Sequence, residues 1–232
     1  MRTCAIVLGG GSGTRMGAGV NKVFLPIRGV PAIVRAVAPF SGLCDGIVVV
    51  ARAEEAPLME ETLRRFGLGR AVTAVAIGGE DRQASVAAGL AAVPPDAHWV
   101  LVHDGARALV TEELIRRALR SAEEHGSGVA SVAVSDTIKR AGTDGLVAET
   151  LDRETLRAMQ TPQAFRAADL RRAHEIAARD SYRATDDAAL LEHAGLPVYL
   201  CEGSRENIKL TTLLDLRLAE VLLAARDEEA GL

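Results

Sequence analysis

Aromatic residues are scarce in this sequence, at 3% of 232 residues, although hydrophobic residues as a whole make up 48%. A core must therefore consist mainly of aliphatic side chains and alanine, which typically fill the space between helices and a buried parallel sheet. A chain of this length suits one sizeable domain. The composition favours an α/β protein, and we expect a single domain over 1–232.

Cysteines are also few. Cys4, Cys44 and Cys201 are far apart and lack metal-ligand spacing, which argues against a disulfide framework or a zinc site. No apolar run reaches the roughly 18 residues of a membrane span, and the N-terminal segment turns to glycine before it forms a signal-peptide core. We therefore expect reduced thiols, a cytoplasmic location and no membrane partner.

Acidic residues are missing from the first 43 positions. This stretch holds five cations, Arg2, Arg15, Lys22, Arg28 and Arg35, in a chain whose net charge is −4. The overall negative charge argues against general nucleic-acid binding, so we expect no nucleic-acid partner. A local cationic region with exposed backbone N–H groups suits a small anion better than a long polymer.

The rest of the sequence alternates short apolar runs with longer amphipathic stretches. Strand-like runs bounded by turn residues lie at 4–8, 46–51, 71–77, 98–104, 128–134 and 197–202. Helical patterns lie at roughly 31–39, 56–66, 82–92, 111–125, 167–179, 185–194 and 211–226. This alternation predicts a Rossmann-like three-layer α/β/α fold with a mostly parallel, twisted sheet covered on both faces.

One segment, at about 136–160, interrupts the alternation. It carries the turn signal "GTDG" between two short runs, which predicts a β-hairpin arm that projects from the domain. A lone hairpin cannot bury its own surface, so we expect it to serve as a dimerisation arm.

The last helical pattern has apolar residues at helical spacing. Leu214, Leu218 and Val221 fall on one side of the helix. We expect that side to pack against the core.

The segment "GGGSGTRMGAGVNK" (9–22) contains six glycines directly behind the first apolar run. The dinucleotide fingerprint needs glycine at i, i+2 and i+5, but the last position is Thr14 or Met16, depending on the start. A second phosphate-binding pattern must end in Gly-Lys-Ser/Thr, and Lys22 lacks those neighbours. Both patterns fail, which argues against an NAD-dependent dehydrogenase.

The physical properties of the loop still favour an anion. Successive glycines let backbone N–H groups converge on phosphate oxygens, and Arg15 and Lys22 can neutralise the charge. A plain glycine-rich connection between a strand and a helix is the alternative interpretation.

The motifs and their order resemble a known family. "GGGSGTRMGAGVNKVFLPIRGVPAI" is similar to the opening of the sugar-nucleotidyltransferase superfamily, in which an Arg and a Lys follow a glycine-rich loop. Further motifs are "GGEDRQASVAAGL" (78–90), "VHDGAR" (102–107), "DTIKR" (136–140), "TPQAF" (161–165) and "TDDAALLE" (185–192). Together they resemble the 2-C-methyl-D-erythritol 4-phosphate cytidylyltransferase family over nearly the whole chain.

The resemblance implies a reaction. CMP passes from CTP to 2-C-methyl-D-erythritol 4-phosphate, giving 4-diphosphocytidyl-2-C-methyl-D-erythritol and pyrophosphate in the non-mevalonate isoprenoid pathway. It also implies Mg²⁺ or another divalent cation, held mainly by the CTP phosphates, so no residue is assigned as a metal ligand. Because the substrate phosphate attacks the α-phosphorus in line, catalysis should be mostly positioning and charge stabilisation.

The resemblance also assigns site residues. The implied catalytic residues are Arg15, Lys22, Lys209 and Arg153. The implied nucleotide-binding residues are Gly9, Gly10, Gly11, Gly79, Glu80, Ser85 and Asp104. The implied substrate-binding residues are Asp104, Arg107, Thr137, Arg153, Thr161, Thr185 and Lys209. Thr137 and Arg153 lie on the arm, which implies a homodimer with sites shared between subunits.

Several of these assignments have a structural alternative. Asp104 ends an apolar strand at the sheet edge where α/β proteins bind ligands, but it could also be a turn carboxylate. Ser85 could simply belong to the first turns of a helix, and Thr161 and Thr185 could be turn or helix caps. His103 is assigned no chemistry.

The sequence departs from the family pattern at two prolines. Family members commonly have Pro-Lys-Gln at the loop lysine and "HDAARP" at the aspartate, whereas Asn21 and Ala108 stand at the proline positions here. Neither change removes a residue with an assigned charge. Two functional alternatives are a ribitol-5-phosphate cytidylyltransferase and a catalytically silent nucleotide-binding module, although the retained cations argue against silence.

Overall fold

The computed structural model describes residues 1–11 and 21–229. Its strands, in chain order, are β1 (Thr3–Leu8), β2 (Pro26–Ile27), β3 (Val30–Pro31), β4 (Gly46–Ala51), β5 (Val72–Ile77), β6 (Trp99–Asp104), β7 (Ser127–Ala133), β8 (Lys139–Ala141), β9 (Val147–Thr150), β10 (Arg157–Arg166) and β11 (Leu200–Glu202). Seven of them form one sheet in the order β11-β7-β10-β6-β1-β4-β5.

The main sheet is mostly parallel, as the sequence predicts. β1 pairs in parallel with β4 and β6, β4 with β5, and β7 with β11, whereas β10 runs antiparallel to both of its neighbours. Alternate residues of β1 enter different cores, since Ala5 and Val7 pack on one face and Cys4 and Ile6 on the other. A strand buried on both faces explains why its sequence is an unbroken apolar run.

Seven α-helices accompany the sheet in the described part of the chain. They are α1 (Ala32–Val37), α2 (Ala56–Arg65), α3 (Arg82–Ala92), α4 (Glu112–His125), α5 (Ala167–Arg179), α6 (Asp187–His193) and α7 (Leu213–Glu229). The core on one face of the sheet includes residues of α1, α2 and α4, and the core on the other includes residues of α3, α5 and α6. The predicted three-layer α/β/α architecture is therefore confirmed.

Side chains placed just before the helices define where they begin. Asp81, Thr111 and Asp186 each accept a hydrogen bond from a backbone N–H in the first turn of α3, α4 and α6, respectively. These bonds satisfy N–H groups that have no partner within the helix. Two of the three helices, α3 and α6, begin beside the site described below.

The central strand β10 was not predicted. Its sequence, "RAMQTPQAFR", has neither an apolar run nor a regular alternation, and it contains Pro162. Three of its polar residues are nevertheless buried, namely Gln160, Thr161 and Gln163. The strand forms because β6 and β7 pair with it on both sides, which only the tertiary structure shows.

The predicted hairpin is present as β8 and β9. The two strands pair antiparallel, and the residues of both are exposed. Gly145 occupies the turn with a φ of +81°, a conformation that glycine adopts without strain. Arg140 and Glu149 form an ion pair across the hairpin at 2.9 Å.

The prediction of which side of α7 packs against the core was wrong. Leu214, Leu218 and Val221 are 71%, 44% and 65% exposed. The helix instead turns Ala219 and its neighbours Leu216, Leu222 and Leu223 toward a small core formed by Ile27, Ala32, Ala106, Ala108, Leu109 and Leu210. Because α7 is apolar on more than one side, its sequence does not determine which side is buried. Within 1–11 and 21–229, no helix combines the length and the apolar character needed to cross a membrane.

Candidate active site

A cleft of about 670 Å³ lies at the carboxyl ends of β1, β4 and β6. Such an edge is where open α/β sheets bind ligands. Eight residues assigned from the sequence line the cleft: Gly10, Gly11, Lys22, Gly79, Glu80, Ser85, Asp104 and Lys209. These residues are spread over almost 200 positions of the chain, and the sheet brings them together.

Gly9 directly follows β1, between the cleft-lining residues Leu8 and Gly10, and has no room for a side chain. Its N–H donates to the carbonyl oxygen of Val50 at 2.7 Å. A Cβ atom on Gly9 would lie 2.8 Å from the Met59 methyl group and 3.1 Å from the Val50 oxygen. Around a Cβ on Gly11, by contrast, no described atom lies within 4 Å. Gly9 therefore serves close packing, whereas no described residue restricts a side chain at Gly11.

The segment before α3 forms a second wall. A Cβ atom on Gly79 would lie 2.5 Å from the Cβ of Ala84, so glycine is needed where the chain turns back on the helix. Asp81 then caps α3 by accepting from the N–H of Ala84 at 2.8 Å. Glu80, Arg82 and Ser85 line the cleft around this helix start. A helix N-terminus favours a negatively charged ligand.

Asp104, the last residue of β6, is surrounded by cations. Its carboxylate lies 2.7 Å from Lys209 Nζ, 3.5 Å from Arg82 Nε and 4.0 Å from Arg107 Nε. Burial by itself would raise the pKa of Asp104, but the three cations, Lys209 foremost, lower that pKa to about 2. Asp104 is therefore ionised at any physiological pH, and the positive charge around it exceeds its own.

Arg82 was not assigned from the sequence. Its guanidinium donates to Asp187 Oδ2 at 2.7 Å, and Asp187 is fully buried. Burial would lower the pKa of Arg82, but Asp187 and Asp104 raise it, so Arg82 remains charged. One sequence signal was available, because Arg82 is the first residue of α3, where the helix dipole disfavours a cation unless a carboxylate is near.

Arg52 and Thr211 also line the cleft and were likewise not assigned. Arg52 follows β4 directly and donates to Glu55 through two nitrogens. Its place at the end of a predicted buried strand is the signal that could have identified it, as it did for Asp104.

A buried hydrogen-bonded layer supports Asp104 from behind. The Thr161 hydroxyl oxygen accepts from the Asp104 N–H at 3.0 Å and lies 3.0 Å from His103 Nδ1. His103 Nε2 lies 3.2 Å from the carbonyl oxygen of Arg107. This arrangement fits a neutral His103 with its proton on Nε2, and burial lowers the pKa of His103 to about 4. Thr161 thus contacts Asp104 in this structure.

Four other assigned residues do not line the cleft in the described part of the chain. Arg107 donates to the carbonyl oxygen of Asn207 at 2.7 Å beside Asp104, and burial lowers its pKa. Thr185 is exposed just before α6. Thr137 and Arg153 are exposed at the base of the hairpin, where Arg153 donates to the Ser135 carbonyl at 2.8 Å.

Arg15 and the possible ligands of a metal ion complete the description of the charged groups. Arg15, the remaining assigned residue, falls at a position outside the described residues. Among those that are described, no group of three or more His, Cys, Asp or Glu side chains could hold a metal ion. The described lining holds four cations, Lys22, Arg52, Arg82 and Lys209, and its three carboxylates, Glu80, Asp81 and Asp104, do not form such a group.

Comparison with known proteins gives consistent similarities. The model of the 2-C-methyl-D-erythritol 4-phosphate cytidylyltransferase family matches residues 3–225. A protein of that name from Geobacillus thermodenitrificans is 45% identical over 228 residues, 97% of this chain and 98% of the relative. One from Symbiobacterium thermophilum is 46% identical over 227 residues, 97% and 93% of the two chains.

Solved structures are similar as well. A crystal structure of 2-C-methyl-D-erythritol 4-phosphate cytidylyltransferase from Thermus thermophilus has a TM-score of 0.79 and 32% identity, covering 96% of this chain and 98% of that one. A 4-diphosphocytidyl-2C-methyl-D-erythritol synthase from Anaerococcus prevotii has a TM-score of 0.83 and 25% identity, covering 96% and 98%. The residues matched by the family model include every residue that lines the cleft.

Proposed function

The chain belongs to the 2-C-methyl-D-erythritol 4-phosphate cytidylyltransferase family, and from that premise we propose how the groups of its cleft divide the reaction. The enzyme transfers CMP from CTP to 2-C-methyl-D-erythritol 4-phosphate and releases pyrophosphate, in the non-mevalonate pathway to isoprenoid precursors. The observation that best supports the proposed roles is the convergence of Gly10, Gly11, Lys22, Asp104 and Lys209 on one cleft.

The glycine loop and the cations around it receive the triphosphate. An oxygen of the acceptor phosphate attacks the α-phosphorus, and the bond from that phosphorus to the bridging oxygen breaks as pyrophosphate leaves. Negative charge accumulates on the phosphoryl oxygens, so Lys22 and Lys209 stabilise the transition state more than the free substrates. Arg15 is proposed to act with them. Gly10 and Gly11 allow the backbone to approach the phosphates closely.

Gly79, Glu80 and Ser85 bind the nucleoside end of CTP. Backbone groups at the turn before α3 read the pyrimidine edge, and the side chains contact the ribose. A site shaped for a pyrimidine excludes purines sterically and would leave polar groups unpaired against them. CTP is therefore expected to be used in preference to ATP.

Asp104 organises the acceptor side of the cleft. As an ionised carboxylate it accepts hydrogen bonds from sugar hydroxyls and keeps the Lys209 ammonium group in the cleft. Arg107 is proposed to bind the acceptor phosphate, with Thr185 as a further hydroxyl contact. Thr161 supports this end through its bond to the Asp104 N–H.

A divalent cation, usually Mg²⁺, is proposed to enter with CTP. Mg²⁺ prefers oxygen ligands and usually binds through substrate phosphates plus one or two carboxylates. The described cleft fits that mode, because Asp104 is its innermost carboxylate and no larger acidic cluster accompanies it. The ion would neutralise phosphate charge, with Asp104 as its nearest protein partner.

The hairpin β8–β9 is proposed to make the enzyme a homodimer. Its residues are exposed, and the neighbouring Thr137 and Arg153 do not line the cleft of their own described chain. Both are therefore proposed to bind the methylerythritol phosphate held by the partner subunit, which gives composite sites.

A cytoplasmic location is also proposed. The three cysteines are free, and burial raises the pKa of Cys44 to about 12 and that of Cys201 to about 11, so both thiols stay protonated. Free thiols of this kind suit a reducing compartment. Fractionation of cells, followed by immunodetection of the chain, tests the location.

Pyrophosphate release, measured with CTP, Mg²⁺ and methylerythritol 4-phosphate, tests the cation roles. Lys22→Ala is expected to lower kcat by roughly 100-fold or more with an unchanged thermal melt, because a transition-state cation is lost. Arg2→Ala is the matched control, since Arg2 belongs to the same acid-free stretch but pairs with Asp96 before β1, at the opposite edge of the sheet. Near-normal turnover of Lys22→Ala would refute the role.

Mixed dimers test the shared site. Arg153→Ala chains combined with Lys22→Ala chains are expected to regain part of the activity, because one site per mixed dimer then has both residues. Differently tagged chains allow the mixed dimers to be purified before the assay. No recovery in purified mixed dimers would contradict the composite site.

A further inference from the structure

Asn21 is a buried polar residue at the end of the glycine-rich loop. It is 2% exposed, and its side-chain nitrogen donates to the Gly9 carbonyl oxygen at 2.7 Å and to Glu55 Oε2 at 2.8 Å. Its side-chain oxygen accepts from the Val23 N–H at 3.3 Å. The orientation of the amide is unambiguous, because the nitrogen faces two acceptors and the oxygen faces a donor.

These bonds join the two ends of the loop. Gly9 is the first residue of the glycine-rich segment 9–22, and Asn21 lies immediately before its last residue, Lys22. Asn21 is also the N-cap of the short 3₁₀ helix Lys22–Phe24, whose last residue donates from its backbone N–H to the Asn21 carbonyl at 3.0 Å. The Asn21 amide therefore fixes the backbone from which the Lys22 side chain extends.

The anchor of this connection is a charged pair at the end of β4. Glu55 accepts from Asn21 and from Arg52 on the same oxygen, Oε2, and the Glu55 side chain is 13% exposed. Arg52 lines the cleft. The backbone at Lys22 is thus connected, through Asn21 and Glu55, to Arg52, another residue that lines the cleft.

We propose that Asn21 is a positioning residue that acts through Lys22, an inference that rests on the proposed role of Lys22. Asn21 has a φ of −61°, close to the value that proline would impose. The backbone shape expected from the proline of the family pattern is thus kept, while the amide adds a cross-link to Gly9 and Glu55. Proline would restrict the backbone through its ring, whereas Asn21 restricts it through hydrogen bonds to Gly9 and Glu55.

A double-mutant cycle tests this role, with kcat and KM measured for Asn21→Ala, Lys22→Ala and the double variant. Asn21→Ala is expected to lower kcat by about 10- to 100-fold, since small misplacements of a catalytic group have effects of this size. KM for the acceptor should change little. In the Lys22→Ala background, the further loss from Asn21→Ala should disappear, because the group it positions is already gone.

Two further variants separate positioning from folding. Asn21→Asp keeps the shape but cannot donate, so it should lose activity like Asn21→Ala, with a thermal melt that shows a folded protein. Glu54→Gln is the control, because Glu54 is exposed beside Glu55 and contacts Arg52 without contacting Asn21. It should keep normal kcat. If Asn21→Ala does not fold, Asn21→Ser, which retains one donor, goes through the same cycle.

The outcomes are distinguishable. Near-normal activity of Lys22→Ala would refute the proposed function of Lys22 itself. An inactive Lys22→Ala with normal Asn21 variants, or with losses that multiply in the double variant, would refute the positioning role alone. A fall in kcat for Asn21→Ala that disappears in the Lys22→Ala background supports the inference.

Discussion

Replacement of Arg82 by methionine should destabilise the protein strongly, because it leaves the buried Asp187 without its cation. Asp187 is fully buried and receives its hydrogen bond from Arg82 at 2.7 Å. In the described part of the chain, the other oxygen of Asp187 has no hydrogen-bond partner. Methionine retains the apolar stem of arginine, so the change isolates the guanidinium group.

The magnitude follows from the burial of the pair. Removing one partner of a buried ion pair typically costs about 3–5 kcal/mol, since the remaining charge stays buried and uncompensated. The Arg82 side chain is 25% exposed, so water can reach the space it vacates. We therefore expect the lower end, about 3 kcal/mol, which corresponds to a fall in Tm of roughly 6–12 °C for a protein of this size.

The matched control is an ion pair that involves Asp81, the N-cap residue of α3. Arg183 pairs with Asp81 at the same distance, 2.7 Å, but the two side chains are 79% and 39% exposed. Arg183→Met should cost no more than about 1 kcal/mol, because an exposed ion pair is screened by water. The cap of α3 is retained, since Asp81 bonds Ala84 through its other oxygen.

Urea unfolding, followed by circular dichroism at one protein concentration, measures both variants. An unchanged m value with a lower midpoint identifies a loss of stability. A cost below about 1 kcal/mol for Arg82→Met, or equal costs for the two variants, would refute the reasoning that burial decides the strength of these pairs.

Two other predictions concern the cleft. Because cations hold the pKa of Asp104 near 2, the stability they confer is complete above about pH 4 and is lost as the pH falls toward 2. The difference in unfolding free energy between wild type and Asp104→Asn should therefore shrink by roughly 2 kcal/mol over that window, and a constant difference would contradict it. Gly9→Ala should lose about 1–3 kcal/mol through overpacking against Met59. Gly11→Ala should keep the wild-type melting temperature but raise KM for CTP. Equal falls in melting temperature for the two variants would contradict the division between a packing role for Gly9 and a binding role for Gly11.

The strands and helices were largely predictable because their signals are local. β1, β4 and β6 are continuous apolar runs, and a strand buried on both faces requires such a run wherever it lies in the sheet. The placement of Asp104 at the edge of the sheet followed from the same pattern, since it is the residue that ends β6.

The misses share one cause. β10 has a polar sequence, yet it pairs with strands on both sides, and its Thr161 supports Asp104. The buried face of α7 was misjudged because more than one side of the helix is apolar. In both cases the choice depended on contacts with residues distant in the sequence.

The sequence by itself determined the alternation of strands and helices, the family and half of the described residues that line the cleft, because each depends on residue type and local order. The tertiary structure decided which groups touch. It placed Arg82 between Asp104 and the buried Asp187, and it turned Asn21 into the link between Gly9 and Glu55. A hydrogen bond or an ion pair requires a distance of about 3 Å, and only the folded chain sets distances between remote residues.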